Sequence, residues 1–367
     1  MALLYTEGFD WLDSADVEAD GYGLLTELIA GNGNDPTLTI ESSSGRNGGG
    51  ALKVNPATGG VSPQVGTNFQ GVIIANPSPS AGETYIFGVA VKFDQLFNST
   101  TVQNFAQVRS TGNNVELILA RTADGVLTVG FGTAAYTAHA AGGSMSNGIW
   151  YYVECKFTLH ATTGSVVVQL NGVEVINETN IDTLQTNNTP TSFCLGMNNW
   201  ESGDRGDIMF DDFYLCDNNG STNNDFLGDV QVQTLTPDGN GNSSDWTGSD
   251  ADSTDNYLHV DESTPDDDTS YIEDNTSTNK DLFTYTATSN ADTVYGVVVK
   301  SIAKKVDAGA ANMYHVCRSN TTESDSSELG LSTSYLGVTS VYETDPDTTA
   351  AWISSGVDAA QFGVKVV

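Results

Sequence analysis

Asn171-Gly172 lies between two runs rich in β-branched residues, Val166-Val167-Val168-Gln169-Leu170 and Val173-Glu174-Val175-Ile176. Both residues of such a pair must reach positive φ. Asn and Gly do so at least cost, so the pair specifies a tight antiparallel hairpin. Asp124-Gly125 before Val126-Leu127-Thr128-Val129-Gly130-Phe131 repeats the signal. Further apolar runs read as strands: Ile86–Phe93, Val115–Ala120 and Tyr151–Phe157. Helical periodicity is scarce, with a turn or two expected at Leu24–Ala30 and Phe93–Phe97. Turn signals at this spacing predict an all-β sandwich.

The chain has 367 residues, enough for two domains. A composition change near residue 220 separates them. Residues 1–217 are expected to form one sandwich, 218–245 a linker with a connecting strand at Phe226–Leu235, and 246–367 a second, smaller β-sandwich. Pro237–Trp246 reads as a turn-rich stretch. Val294–Ala303 and Phe362–Val367 read as strands of the second domain. No fixed-period repeat argues for a solenoid or propeller.

There are 47 acidic and 13 basic side chains, a net charge of −34. That balance excludes a nucleic-acid-coating protein, which needs a basic footprint. No apolar run is long enough to span a membrane. The start, Met1-Ala2-Leu3-Leu4-Tyr5-Thr6-Glu7, lacks a basic n-region and a long apolar stretch, so no signal peptide is expected. Cys155, Cys194, Cys216 and Cys317 show no CxxC spacing. Cys155 shares parity with Val153 and Phe157 and reads as a small core residue. Synthesis in a reducing cytoplasm is expected.

Carboxylates crowd residues 201–275, where Arg205 is the one basic side chain. The oxygen ligands available make calcium the candidate ion. Asp238, Asn240 and Asn242 follow an EF-hand spacing, but Ser243 and Ser249 stand where Gly and Glu belong, so a Gly-rich linker explains the stretch better. A shorter cage of Asp211, Asp212 and Asp217 is the alternative metal site. Neither a nucleophile elbow nor a phosphate loop is present, and His139, His160, His259 and His315 have no patterned partners. Trp200, Trp246, Trp352 and Tyr342 lie in turn-rich or short segments. They are the candidates for stacking on sugar rings, and core burial is the competing reading for each.

Several short segments, taken in order, resemble concanavalin A-like (laminin G-like) jelly rolls: Glu7-Gly8-Phe9-Asp10, Gly45-Arg46-Asn47-Gly48-Gly49-Gly50-Ala51-Leu52, Trp150–Glu154, Leu170–Val175 and Phe210-Asp211-Asp212-Phe213-Tyr214-Leu215. With Phe226–Val230, Asp245-Trp246-Thr247, Tyr342–Pro346 and Phe362-Gly363-Val364, the whole resembles structural proteins of tailed bacteriophages. The resemblance implies a non-enzymatic virion protein of the tail, neck or capsid surface. Such a protein docks on other virion proteins as symmetric copies and presents an acidic surface. The hydrolases of the superfamily carry an E-x-D-x-x-E strand. Here Glu18-Ala19-Asp20 is followed by Gly23 at the second Glu position, so no catalysis of that type is expected. The alternative is a lectin-like host-recognition protein that binds host glycan, with calcium.

Overall fold

The computed structural model describes residues 2–15, 22–28, 37–55, 69–75, 84–95, 102–110, 114–132, 138–185, 189–198, 206–289 and 293–367. The chain forms two compact units, Met1–Val232 and Gln233–Val367. Strands are numbered in chain order. The expected all-β architecture is what forms, a jelly-roll sandwich followed by a smaller unit of sheets.

Unit one is a sandwich of two antiparallel sheets. Sheet one holds β1 (Leu3–Glu7), β3 (Thr37–Ile40), β4 (Leu52–Asn55), β6 (Thr84–Phe93), β11 (Trp150–Thr158), β12 (Gly164–Leu170), β13 (Val173–Ile181) and β15 (Ile208–Asp217). Its order is β13-β12-β11-β6-β15-β4-β3, with β1 also paired to β15. Sheet two holds β2 (Leu25–Leu28), β5 (Phe69–Ala75), β7 (Gln103–Ser110), β8 (Asn114–Arg121), β9 (Val126–Phe131), β10 (Ala138–Ser144) and β14 (Pro190–Asn198). Its order is β10-β9-β8-β7-β14-β5-β2. Strand neighbours are therefore often distant in sequence, as in Greek-key connections.

Alternation builds the core. Val89, Val91, Val153, Cys155 and Phe157 of sheet one share one cluster with Val108, Leu117, Leu119, Val129 and Leu195 of sheet two. Phe87 meets Phe193 edge-on across the sandwich, ring centroids 5.9 Å apart. Such pairs add to plain area burial. The Asn171-Gly172 hairpin joins β12 to β13 with φ of 50° and 74°, the positive values its sequence requires. All four cysteines are buried, and none forms a disulfide with another described residue.

Unit two contains a six-stranded sheet of β16 (Pro237–Ser244), β19 (Lys280–Tyr285), β25 (Gln361–Val366), β21 (Asn312–Ser319) and β22 (Thr322–Asp325), with β23 (Leu329–Gly330) also on β21. Two small ribbons join β17 (Thr247–Gly248) to β18 (Ile272–Glu273) and β20 (Val297–Ala303) to β24 (Leu336–Tyr342). Val299, Cys317, Tyr342, Trp352, Val357 and Phe362 form its core.

Some local expectations change. Leu25–Leu28 is a strand and not a helical turn, because it pairs with β5. Phe226–Leu235 contains no strand, whereas the turn-rich Pro237–Ser244 does. Pro237 opens an edge strand, the position in a sheet that tolerates a missing N–H. No helix among the described residues is long and apolar enough to cross a membrane.

Candidate functional site

The outer face of sheet two follows from the parity of its strands. On β7, Val108 points into the core, so Gln107 and Arg109 turn to the other side. Gln107 is the register partner of Ile118 on β8 and of Cys194 on β14. Arg109 stands opposite Ser192. Ile118 and Cys194 continue the row to Gly130 and Ile73. Thr128 and Glu116 share this face by the same alternation.

These polar side chains are buried. Gln107 is 1% exposed, Arg109 6% and Glu116 0%. The Nε and Nη2 groups of Arg109 both donate to Gln107 Oε1, at 3.1 and 2.9 Å. That arrangement turns the Gln107 amide nitrogen away, and it has no hydrogen-bond partner. Asn104 Oδ1, at the other end of β7, is also unpartnered. The Arg109 guanidinium lies 5.9 Å from the Phe69 ring centroid. Glu116 is held by Ser110 Oγ at 2.6 Å and the Gln185 N–H at 2.9 Å. Among the described residues no carboxylate lies within ion-pair distance of Arg109.

Arg121 is a second buried arginine of this sheet. It is 1% exposed at the end of β8, over the Phe93 ring at 4.8 Å. Its Nη2 donates to Met145 O and Asn147 Oδ1, both at 2.7 Å. Two carbonyl oxygens hold its Nη2, its buried Nε has no hydrogen-bond partner, and burial lowers its pKa. Arg109 has one amide oxygen, which occupies its Nε–Nη2 edge. A guanidinium can pair with a carboxylate through two parallel N–H groups, and the edge left for that is the one formed by its two terminal nitrogens.

The residues singled out from sequence lie elsewhere. Trp200 falls outside the described residues. Trp352 is 2% exposed and Tyr342 8%, both in the core of unit two. Trp352 Nε1 donates to Tyr342 O at 2.9 Å. Tyr342 OH donates to His315 O at 2.9 Å. Their packing leaves no ring face for a sugar. Trp246 is half-buried, and its indole N–H donates to Asn279 O at 3.2 Å.

Asp211 and Asp212 share a bulge on β15 where Asp212 takes φ 50°. Arg46 binds both: its N–H donates to Asp211 Oδ2 at 2.7 Å and its Nε to Asp212 Oδ2 at 2.9 Å. Burial and the Asp212 charge push the Asp211 carboxyl well above the usual range. Asp217 lies five residues further along the strand, about 15 Å away at ordinary strand rise. Its carboxylate accepts the Asn219 N–H at 2.8 Å. The three acids therefore do not meet as a cage. No group of three or more His, Cys, Asp or Glu among the described residues is placed to hold a metal ion. Asp238 accepts from Thr284 Oγ1 at 2.7 Å, and Asn240 Oδ1 accepts the Tyr257 N–H at 3.1 Å. That stretch is an edge strand and not an EF-hand loop.

No family model and no curated protein matches the chain. Among solved structures, the chain is similar to an endo-β-1,4-glucuronan lyase of the fungus Trichoderma reesei. The identity is 14% and the TM-score 0.40, over 54% of this chain and 98% of that one. It is also similar to the marine PL-14 alginate lyase of Aplysia kurodai, with 11% identity and TM-score 0.43 over 59% of this chain and 99% of that one. A Trypanosoma rangeli sialidase matches at 17% identity and TM-score 0.29, over 45% of this chain and 27% of that one. The expected kinship with tailed-bacteriophage virion proteins is corrected by these findings, since the proteins matched are carbohydrate-active enzymes. The non-enzymatic docking role, the tail or capsid placement and the absence of catalysis fall with it.

Proposed function

We propose that this chain is a carbohydrate-active enzyme that takes an acidic polysaccharide on the outer face of sheet two. One observation carries the reading. Arg109 is a buried cation without a carboxylate partner among the described residues, in a chain of net charge −34. An unpaired buried charge is costly, and a sugar carboxylate admitted to the small exposed part of Arg109 supplies the missing partner. Neutralising a uronate carboxylate stabilises the negative charge that develops when the adjacent carbon loses its proton. Donors fixed in a water-poor site do this best.

The test is direct. The protein is incubated with alginate and glucuronan, the polymers named for the similar lyases, and with a neutral glucan as control. Reducing ends and unsaturated uronate products are measured. Cleavage of an acidic polymer is expected, and Arg109→Ala should lower it by about a hundredfold. Arg109→Lys should rescue only part, because it keeps the charge and loses the fork. Unchanged turnover in Arg109→Ala, or no cleavage of any acidic polymer, overturns the proposal.

A further inference from the structure

Residues 225–232 are the last eight of unit one. They contain no strand, yet they are tied to sheet one at point after point. Lys156 Nζ on β11 binds Asp225 Oδ1 at 2.8 Å and lies 5.5 Å from the Phe226 ring centroid. The Leu227 N–H donates to Tyr214 OH at 3.2 Å, and the Gly228 N–H to Glu154 Oε1 at 2.9 Å. Arg46 pairs with Asp229 and donates to Val230 O. The Val232 N–H donates to Asp212 Oδ1 at 2.7 Å.

Two features distinguish this attachment from an added strand. Three of its N–H groups and the Val230 carbonyl are taken by side chains of sheet one and of the Arg46 loop, so no ladder must break for it to leave. Its own contribution to the two ion pairs comes from exposed carboxylates: Asp225 is 68% and Asp229 58% exposed. Ion pairs of that exposure are screened by salt. Beneath it, Tyr214 OH donates to Glu154 Oε1 at 2.5 Å, and the other oxygen of the buried Glu154 has no partner. Part of the polar surface under the segment is thus left unsatisfied by it.

We infer that residues 225–232 form a latch closed in part by charge, loosened by ionic strength without unfolding of the sandwich. Asp225 and Asp229 are its clasps, and Lys156 and Arg46 their keepers. Release uncovers Glu154 and Tyr214.

Amide hydrogen exchange on the full chain tests this. In the Asp225→Asn/Asp229→Asn variant at about 0.01 M salt, protection of the Gly228 and Val232 N–H groups should fall by about twofold to tenfold, the range for two exposed ion pairs. The unaltered protein should fall to the variant's level at about 1 M salt. Val89 and Val153 in the core should keep their protection throughout. Two results overturn the inference. One is Gly228 and Val232 protection that ignores both the substitutions and the salt. The other is a loss shared equally by Val89 and Val153, which would mean that the sandwich opens as a whole.

Discussion

Glu7 has no exposed surface. Its Oε1 accepts the Phe9 N–H at 2.8 Å and Trp11 Nε1 at 2.9 Å, and its Oε2 accepts Tyr5 OH at 2.8 Å. Asp10 follows with a bond from the Gly50 N–H. The Glu7-Gly8-Phe9-Asp10 segment therefore fixes the first strand to its neighbours, and its acids are structural acceptors. Glu7→Ala removes the shared acceptor of three donors, two of them buried. A loss of about 3 kcal/mol or more in urea unfolding of unit one is expected, and Glu7→Gln should lose less because it retains an acceptor. Equal stability of Glu7→Ala and the unaltered protein would contradict this assignment. At the same scale, Gln107 and Arg109 escape a reading based on hydrophobic pattern. Every residue of β7 is buried, so its outward polar positions do not announce a half-exposed strand. The signal available was the alternation of Gln107 and Arg109 around Val108.

Hairpins with demanding turns were the most legible elements. Asn171-Gly172 forms where its chemistry requires it, since few other pairs reach both φ values. Gly88 on β6 is the opposite case, a strand glycine whose reason is visible only in three dimensions. A Cβ there would lie 2.3 Å from the Tyr214 ring and 2.9 Å from the Tyr152 ring. The two rings cover the space above the glycine. Gly88→Ala must push them aside, at an expected cost of about 2 kcal/mol, the usual scale of overpacking. The measurement is the urea midpoint of unit one, and an unchanged midpoint would mean that the rings repack freely. The misread stretch at Phe226–Leu235 has a related cause. Its alternating apolar residues mimic a strand, but side chains of sheet one accept the Leu227, Gly228 and Val232 N–H groups. Conversely, β16 is built from Pro, Asn, Gly and Ser. Turn chemistry dominates that composition, and its pairing with β19 comes from the tertiary fold.

At the scale of the whole molecule, the two units carry buried titrating groups of opposite effect. In unit two, His315 is wholly buried, with its ring nitrogens 2.8 Å from Ser340 Oγ and 2.9 Å from Ser301 Oγ. Burial pushes its pKa down to about 4 from the ordinary 6.5. The unfolded chain therefore takes up the proton first. His315 costs unit two nothing above about pH 6.5, and its penalty grows as the pH falls toward 4, to about 3 kcal/mol. In unit one, Asp211 is raised by burial and by the neighbouring Asp212 charge. Here the folded state takes up the proton first. The strain of the two adjacent acids is present at neutral pH and is relieved as the pH falls toward the ordinary carboxylate range. Between pH 7.5 and pH 5, unit two should lose stability while this pair adds stability to unit one. Calorimetry in chelator can follow both transitions. His315→Gln should flatten the acid loss of the unit-two transition, and Asp211→Asn should flatten the acid gain of the other. Transitions that move together with pH, and keep doing so in both variants, would show that other groups govern the acid response.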